Sequence, residues 1–166
     1  MKLTIERGDL LNALSHVQSV VERRNTIPIL SNVLMSAKDG ALTLTATDLD
    51  IEAVDSAPAQ ISSDGAITAP AGTLFDVVRK LPGGADVELS LDPENERLSI
   101  RAGRSQFALP TLPASDFQTM GADPGATRFE VDAADLRRLI DKTRFAISTE
   151  ETRYYLNGVY LHSATA

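Results

Sequence analysis

Three carboxylates stand at alternate positions in Asp48-Leu49-Asp50-Ile51-Glu52. On one strand face such a trio could hold Mg²⁺, an ion that takes oxygen ligands. The same alternation also describes an acidic, solvent-facing strand edge over a Leu/Ile core, a reading that assigns no metal. Histidine occurs only at positions 16 and 162, and cysteine is absent. Disulfides, zinc knuckles and thiol catalysis are therefore excluded, and His-based triads are poorly supplied. No phosphate-cradling Gly loop or nucleophile elbow occurs. Pro110-Thr111-Leu112-Pro113 has PxxP spacing, but its place after a strand reads as a turn. These residues assign no catalytic group, no metal and no cofactor.

The chemistry that remains is electrostatic, and it is unevenly distributed. Residues 38–70 hold one basic residue, Lys38, against six acids, and residues 86–96 add five acids and no base. Basic residues gather elsewhere: Arg23 and Arg24 after the first predicted helix, Arg79 and Lys80 ending the second, and Arg137, Arg138, Lys142 and Arg144 on the third. A further group, Arg97, Arg101 and Arg104, lies on late strands with no acid between its members. Cations at helix C-termini complement the macrodipole, which accounts for Arg79 and Lys80. It does not account for Arg137 and Arg138, which fall in early turns, so a polyanion-facing surface is the competing reading.

The elements that position these groups follow from periodicity. The chain has 166 residues, a net charge of −7, 43% hydrophobic and 23% charged residues, the composition of a folded protein. No apolar run is long enough to span a bilayer and no apolar h-region precedes the first charges, so the expectation is a cytoplasmic protein with no membrane partner. Leu3 and Ile5 alternate as a strand. Leu10, Leu14, Val17 and Val21 follow at helical spacing. A strand is predicted from Ile29 to Ala37, a hairpin at Asp39-Gly40, and alternating stretches over Leu42–Ala46 and Leu49–Val54. A short strand near Ala66–Ala69 precedes a second helix with Leu74, Phe75, Val78 and Leu81 on one face, stopped by Pro82-Gly83-Gly84. Strands at Val87–Leu91, Leu98–Ile100 and Phe107–Leu109 complete an α+β unit whose two helices cover one sheet face.

The sequence also repeats. At an offset of 126, Leu3-Thr4-Ile5-Glu6 falls on Phe129-Glu130-Val131-Asp132, Asp9-Leu10 on Asp135-Leu136, and Leu30, Val33 and Met35 on Leu156, Val159 and Leu161. The apolar positions stay in phase through a strand, a helix and a second strand, predicted over Tyr154 to about Ser163. Asp132 is placed to cap the repeated helix. Turn residues between Met120 and Ala126 mark the joint. The second copy stops within its opening β-α-β, so the chain is expected to be part of something longer.

Thr26-Ile27-Pro28-Ile29-Leu30-Ser31-Asn32-Val33-Leu34, Leu44-Thr45-Ala46-Thr47-Asp48-Leu49-Asp50, Pro110-Thr111-Leu112-Pro113-Ala114-Ser115-Asp116-Phe117 and Arg153-Tyr154-Tyr155-Leu156-Asn157-Gly158-Val159 together resemble the bacterial DNA polymerase III beta subunits, the sliding clamps. The resemblance is collinear from the first residue to the last. It implies the DNA-clamp fold, with residues 1–120 as a complete N-terminal domain, 121–126 as linker and 127–166 as an incomplete start of the central domain. It implies a head-to-tail homodimeric ring that encircles double-stranded DNA without reading sequence and tethers the replicative DNA polymerase. Such a ring has no catalytic group, and its polymerase and clamp loader dock through regions this chain lacks. The chain alone is expected not to close a ring.

Carried over by motif, the resemblance implies DNA contact by Arg24 and by the loop holding Arg153, Tyr154 and Tyr155, with Arg23, Arg79, Arg137, Arg138 and Lys142 on the same DNA-facing helices and their exits. Tyrosine stacking on unpaired bases suits that loop, and packing at a strand start is the alternative for at least one ring. Gly72-Thr73 and Glu150-Glu151 depart from the family pattern and should weaken contact there. Phe107 and Leu109, framed by Arg97, Arg101 and Arg104, match the edge that joins a second copy. Of the pocket for partner peptides only Leu156 is present. The reading from another class is an acidic, β-rich protein-interaction module that never meets DNA.

Overall fold

The computed structural model describes residues 1–21, 26–92, 94–121 and 129–162. Two units emerge, Met1–Gly121 and Ala122–Ala166, and each is treated by itself.

The first unit runs β1 (Lys2–Glu6), α1 (Arg7–Val17), β2 (Asn32–Lys38), β3 (Ala41–Thr47), β4 (Glu52–Pro58), β5 (Gln60–Ser63), β6 (Gly65–Pro70), α2 (Ala71–Lys80), β7 (Asp86–Asp92), β8 (Arg97–Ala102), β9 (Ser105–Pro110) and β10 (Leu112–Pro113). The strands form two five-stranded antiparallel sheets, ordered β5-β1-β7-β8-β9 and β10-β6-β2-β3-β4. Both helices lie against the second sheet, α1 over β3 and β4 and α2 over β2 and β6, and α1 also touches β1. Periodicity alone reveals inward-facing residues; it does not reveal that the strands divide between two sheets.

The two sheets and two helices share one core. Leu3 and Ile5 of β1, Leu10, Leu14 and Val17 of α1, Val33 and Met35 of β2, Leu74 and Val78 of α2, and Leu98 and Ile100 of β8 are all essentially inaccessible. Burying such side chains contributes on the order of 1.5–3 kcal/mol each, the term that holds the layers together.

Local chemistry explains where elements start. Asp39 and Gly40 take φ of 53° and 78°, the left-handed pair a tight hairpin requires between β2 and β3. The Glu6 carboxylate accepts the N–H groups of Gly8 (2.7 Å) and Asp9 (3.2 Å) and so caps α1.

Three predicted elements differ, and one strand, β5, is additional. Pro28–Ser31 forms a 3₁₀ turn, so β2 begins at Asn32 rather than Ile29. The alternating stretch from Leu49 does not become strand until Glu52, because Asp48 Oδ1 accepts the N–H groups of Asp50 (2.9 Å) and Ile51 (2.7 Å) and Leu49 is turned to φ 80°. Pro110–Pro113 is a sheet switch: β9 ends in one sheet and β10 pairs with β6 in the other. Thr68, fully buried, makes that switch fast by donating to the Leu112 carbonyl (3.0 Å) while accepting from Asn32 Nδ2 (2.9 Å). β5 carries too short an alternation to be seen in sequence.

The second unit contains α3 (Ala133–Thr143), a 3₁₀ turn at Arg144–Ala146 and a longer one at Glu151–Leu156. Residues 7–17 of α1 plus the 126-residue offset give residues 133–143, the span of α3, and the Asp132 cap on Ala134 and Asp135 repeats the Glu6 cap on Gly8 and Asp9. The predicted flanking strands are not formed: residues 129–132 and 157–162 carry no ladder, and Ser163 lies outside the described residues. A strand exists only through a hydrogen-bonded neighbour, and none pairs with these segments among the described residues. No described helix is long and apolar enough to cross a membrane.

Candidate functional site

The cations of α3 lie on solvent. Arg138 pairs with Asp135 (3.2 Å), and Asp141 stands between Arg137 (3.6 Å) and Arg144 (3.7 Å). Lys142 has no ion pair among the described residues. Asp132 and Asp135 in the first turn offset the cost of placing Arg137 and Arg138 near the positive helix end. Exposed pairs of this kind are worth about 0–1 kcal/mol, so these guanidinium groups can exchange a carboxylate for a phosphate at little cost.

Beyond α3 the chain folds into a closed loop. The Ser148 N–H donates to the Leu156 carbonyl (2.8 Å), and the Ser148 hydroxyl accepts the Glu150 N–H (3.1 Å). From this loop project Arg153, Tyr154 and Tyr155. The tyrosine rings meet edge to face at 5.7 Å and are 79% and 70% exposed. Glu150 holds Arg153 at 3.0 Å, which brings one acid of the loop tip against its own cation. Leu156 is half exposed beside them.

In the first unit, Arg79 on the last turn of α2 pairs with Asp76 (2.8 Å) and lies over the Phe75 ring (5.7 Å to its centre). It borders an open groove of about 920 Å³ that also meets Gln18, Ser19, Gly72 and Thr73. Arg23 and Arg24 lie outside the described residues. A cation that the charge pattern did not single out, Arg7, is committed to structure: its Nε donates to the Val78 carbonyl (3.1 Å) and its Nη2 to that of Arg79 (2.6 Å), capping the C-terminus of α2. A lone arginine 71 residues from its acceptor leaves no local signal in the sequence.

β9 is an open edge of the first sheet. Phe107 is 40% exposed there, but Leu109 is 7% exposed and belongs to the core. Both residues face inward, opposite Leu98 and Ile100 of β8, and only Leu109 is covered. Arg97 Nη2 donates to the Ala108 carbonyl across the ladder (2.8 Å). Arg101 and Arg104 are exposed and without an ion pair among the described residues, so the edge carries unneutralised positive charge.

Two acids of the trio make structural contacts. The Asp48 carboxyl is held below the ordinary carboxylate value by the Ile51 and Asp50 N–H groups. Glu52 accepts the Met120 N–H (2.7 Å). Among the described residues no three His, Asp or Glu side chains stand close enough to hold a metal ion.

Comparison with known proteins agrees with this division. Residues 1–121 match the family described as DNA polymerase III beta subunit, N-terminal domain, and residues 130–165 the corresponding central domain. The chain is 64% identical over 163 residues to a beta sliding clamp of Caulobacter vibrioides, covering 98% of this chain and 44% of that protein. It is 45% identical over 162 residues to that of Pseudomonas aeruginosa, covering 97% of this chain and 44% of the relative. A solved structure of the Caulobacter crescentus pol III beta protein superposes with a TM-score of 0.94 at 64% identity, over 99% of this chain and 44% of that one. The chain thus spans less than half the length of the relatives it matches.

Proposed function

The chain belongs to the DNA polymerase III beta subunit family, and on that premise we propose that it supplies DNA-facing helices and a joining edge to a sliding clamp on double-stranded DNA. What supports the reading above all is the collinear match of both segments to the N-terminal and central domain types. In the proposed mechanism Arg79, Arg137, Arg138, Lys142 and Arg153, with Arg23 and Arg24, face phosphates. Such contacts hold the duplex without reading bases. Tyr154 and Tyr155 present flat faces to unpaired bases at a strand end. The acids of the β3–β4 and β7–β8 turns repel DNA from the rest of the surface.

The clamp itself is a topological tether with no catalytic group. In the complete protein, a head-to-tail pair closes the ring through the β9 edge, where Arg97, Arg101, Arg104 and Phe107 meet the second copy. An open apolar edge strand needs such a cover. Replicative DNA polymerase and clamp loader are the partners, Leu156 marks one wall of their peptide pocket, and the cytoplasm is the compartment.

The test is a salt titration of duplex binding, followed by fluorescence anisotropy. Arg137→Glu and Lys142→Glu should each weaken binding and reduce the slope of log K against log [salt] by about 0.9 for each phosphate no longer neutralised. Extended to the length of its relatives, the protein should stay on nicked circular DNA and leave when the circle is cut. Binding that ignores both salt and topology would overturn the proposal in favour of an acidic protein-interaction module.

A further inference from the structure

The loop at residues 148–157, closed at its base by the Ser148–Leu156 backbone bond, is also spanned by one side chain whose role neither charge nor periodicity announces. Arg153 interrupts the 3₁₀ turn with φ −113° and ψ 44°, which swings its carbonyl out of the helical direction. The Asn157 side chain lies between that carbonyl and the carbonyl of Ser148, so its amide nitrogen, the only donor it has, faces them at 3.1 and 3.0 Å. The Asn157 N–H meanwhile donates to the Tyr154 carbonyl (3.2 Å). One residue thus bonds to both limbs of the loop that displays Arg153, Tyr154 and Tyr155.

From this geometry we infer that Asn157 is a positioning residue for nucleic-acid contact: its amide clasps Ser148 and Arg153 and holds the guanidinium and two tyrosine rings together on one exposed loop. The inference rests on the proposal that this loop meets DNA. An aspartate in its place would match in shape but put a second acceptor against two carbonyl oxygens, opening the clasp. Asn157→Ala opens it without adding charge.

All three tyrosines of the chain, at 154, 155 and 160, lie in this unit, and tryptophan is absent. Near-ultraviolet circular dichroism therefore reads this unit, with two of its three tyrosines on the loop and Tyr160 stacked on His162 outside it. Both Asn157→Ala and Asn157→Asp should lose tyrosine signal, whereas Arg153→Ala should keep it. On a primed duplex with a single-stranded overhang at low salt, Asn157→Ala should bind about fivefold more weakly, the equivalent of about 1 kcal/mol, and Arg153→Ala should weaken binding because it removes a cation that faces phosphate. An unchanged tyrosine signal in both Asn157 variants overturns the clasp. A diminished signal with full affinity in Asn157→Ala, while Arg153→Ala binds weakly, overturns its role in DNA contact. If the signal falls but Arg153→Ala binds normally, or the unaltered chain does not bind, the clasp stands and the DNA reading of the loop fails.

Discussion

His16 Nδ1 lies 2.6 Å from Asp55 Oδ2, joining the outer face of α1 to β4 across 39 residues. The His16 hydrogen bond is the main reason the Asp55 carboxyl sits below its ordinary 3.8, with the Ser56 N–H adding to it. A carboxyl depressed on folding stabilises the native state above its unfolded pKa, and that contribution is lost as pH falls through the folded value. Asp55→Ala should therefore cost about 0.2–1 kcal/mol at neutral pH, as exposed pairs do. Urea denaturation of both proteins should show the difference vanishing under acid conditions. A gap that persists after Asp55 is protonated would count against the pairing.

Arg7 reaches two carbonyls at the end of α2, at 3.1 and 2.6 Å. Arg7→Ala should destabilise the first unit by roughly 1–2 kcal/mol, the worth of charge-assisted bonds at a partly exposed site. Arg7→Lys should recover only part, because a point ammonium cannot reproduce the planar fork. Thermal unfolding of the three proteins orders them.

Asn32 and Thr68 are buried, and Thr68 hands their hydrogen bond on to the carbonyl of the more exposed Leu112. Thr68→Val preserves shape but leaves the Asn32 amide without its acceptor, at a cost of about 1–3 kcal/mol. Hydrogen exchange should rise at the Leu112 amide, the one exchangeable amide of β10, more than along β3, since β10 is held by two residues of ladder and this one relay.

The two helix caps differ in a coupled way. A Cβ on Gly8 would stand 2.7 Å from Glu6 Oε2, whereas the repeat pairs the shorter Asp132 with Ala134. Gly8→Ala should displace the Glu6 carboxylate, so that a loss of about 1 kcal/mol of cap energy offsets the roughly 0.5–1 kcal/mol that alanine gains over glycine in a helix. Adding Glu6→Asp should restore part of the cap energy, so a double-mutant cycle should show clear non-additivity. Strict additivity would mean the cap and the glycine are independent.

Much of the candidate surface is legible in the sequence for a simple reason: exposed charges on helices follow local spacing, and Arg137, Arg138 and Lys142 stand on α3 as the pattern requires. What is not legible there is pairing. Asp135 and Asp141 share their charge with Arg138 and Arg137, and Glu150 with Arg153, which depends on rotamers rather than order along the chain.

By itself the sequence determined the helix stripes, the Asp39-Gly40 hairpin, the 126-residue repeat and the family resemblance, because each is written in residues a few positions apart or in a direct self-comparison. The tertiary structure alone decided that the ten strands of the described residues divide between two sheets, that Pro110–Pro113 carries the chain from one to the other, and that Leu109 is core while Phe107 stays open. It also decided that Arg7 serves a helix end rather than a ligand. These outcomes depend on which distant element covers a given face, and alternation records only that a face exists.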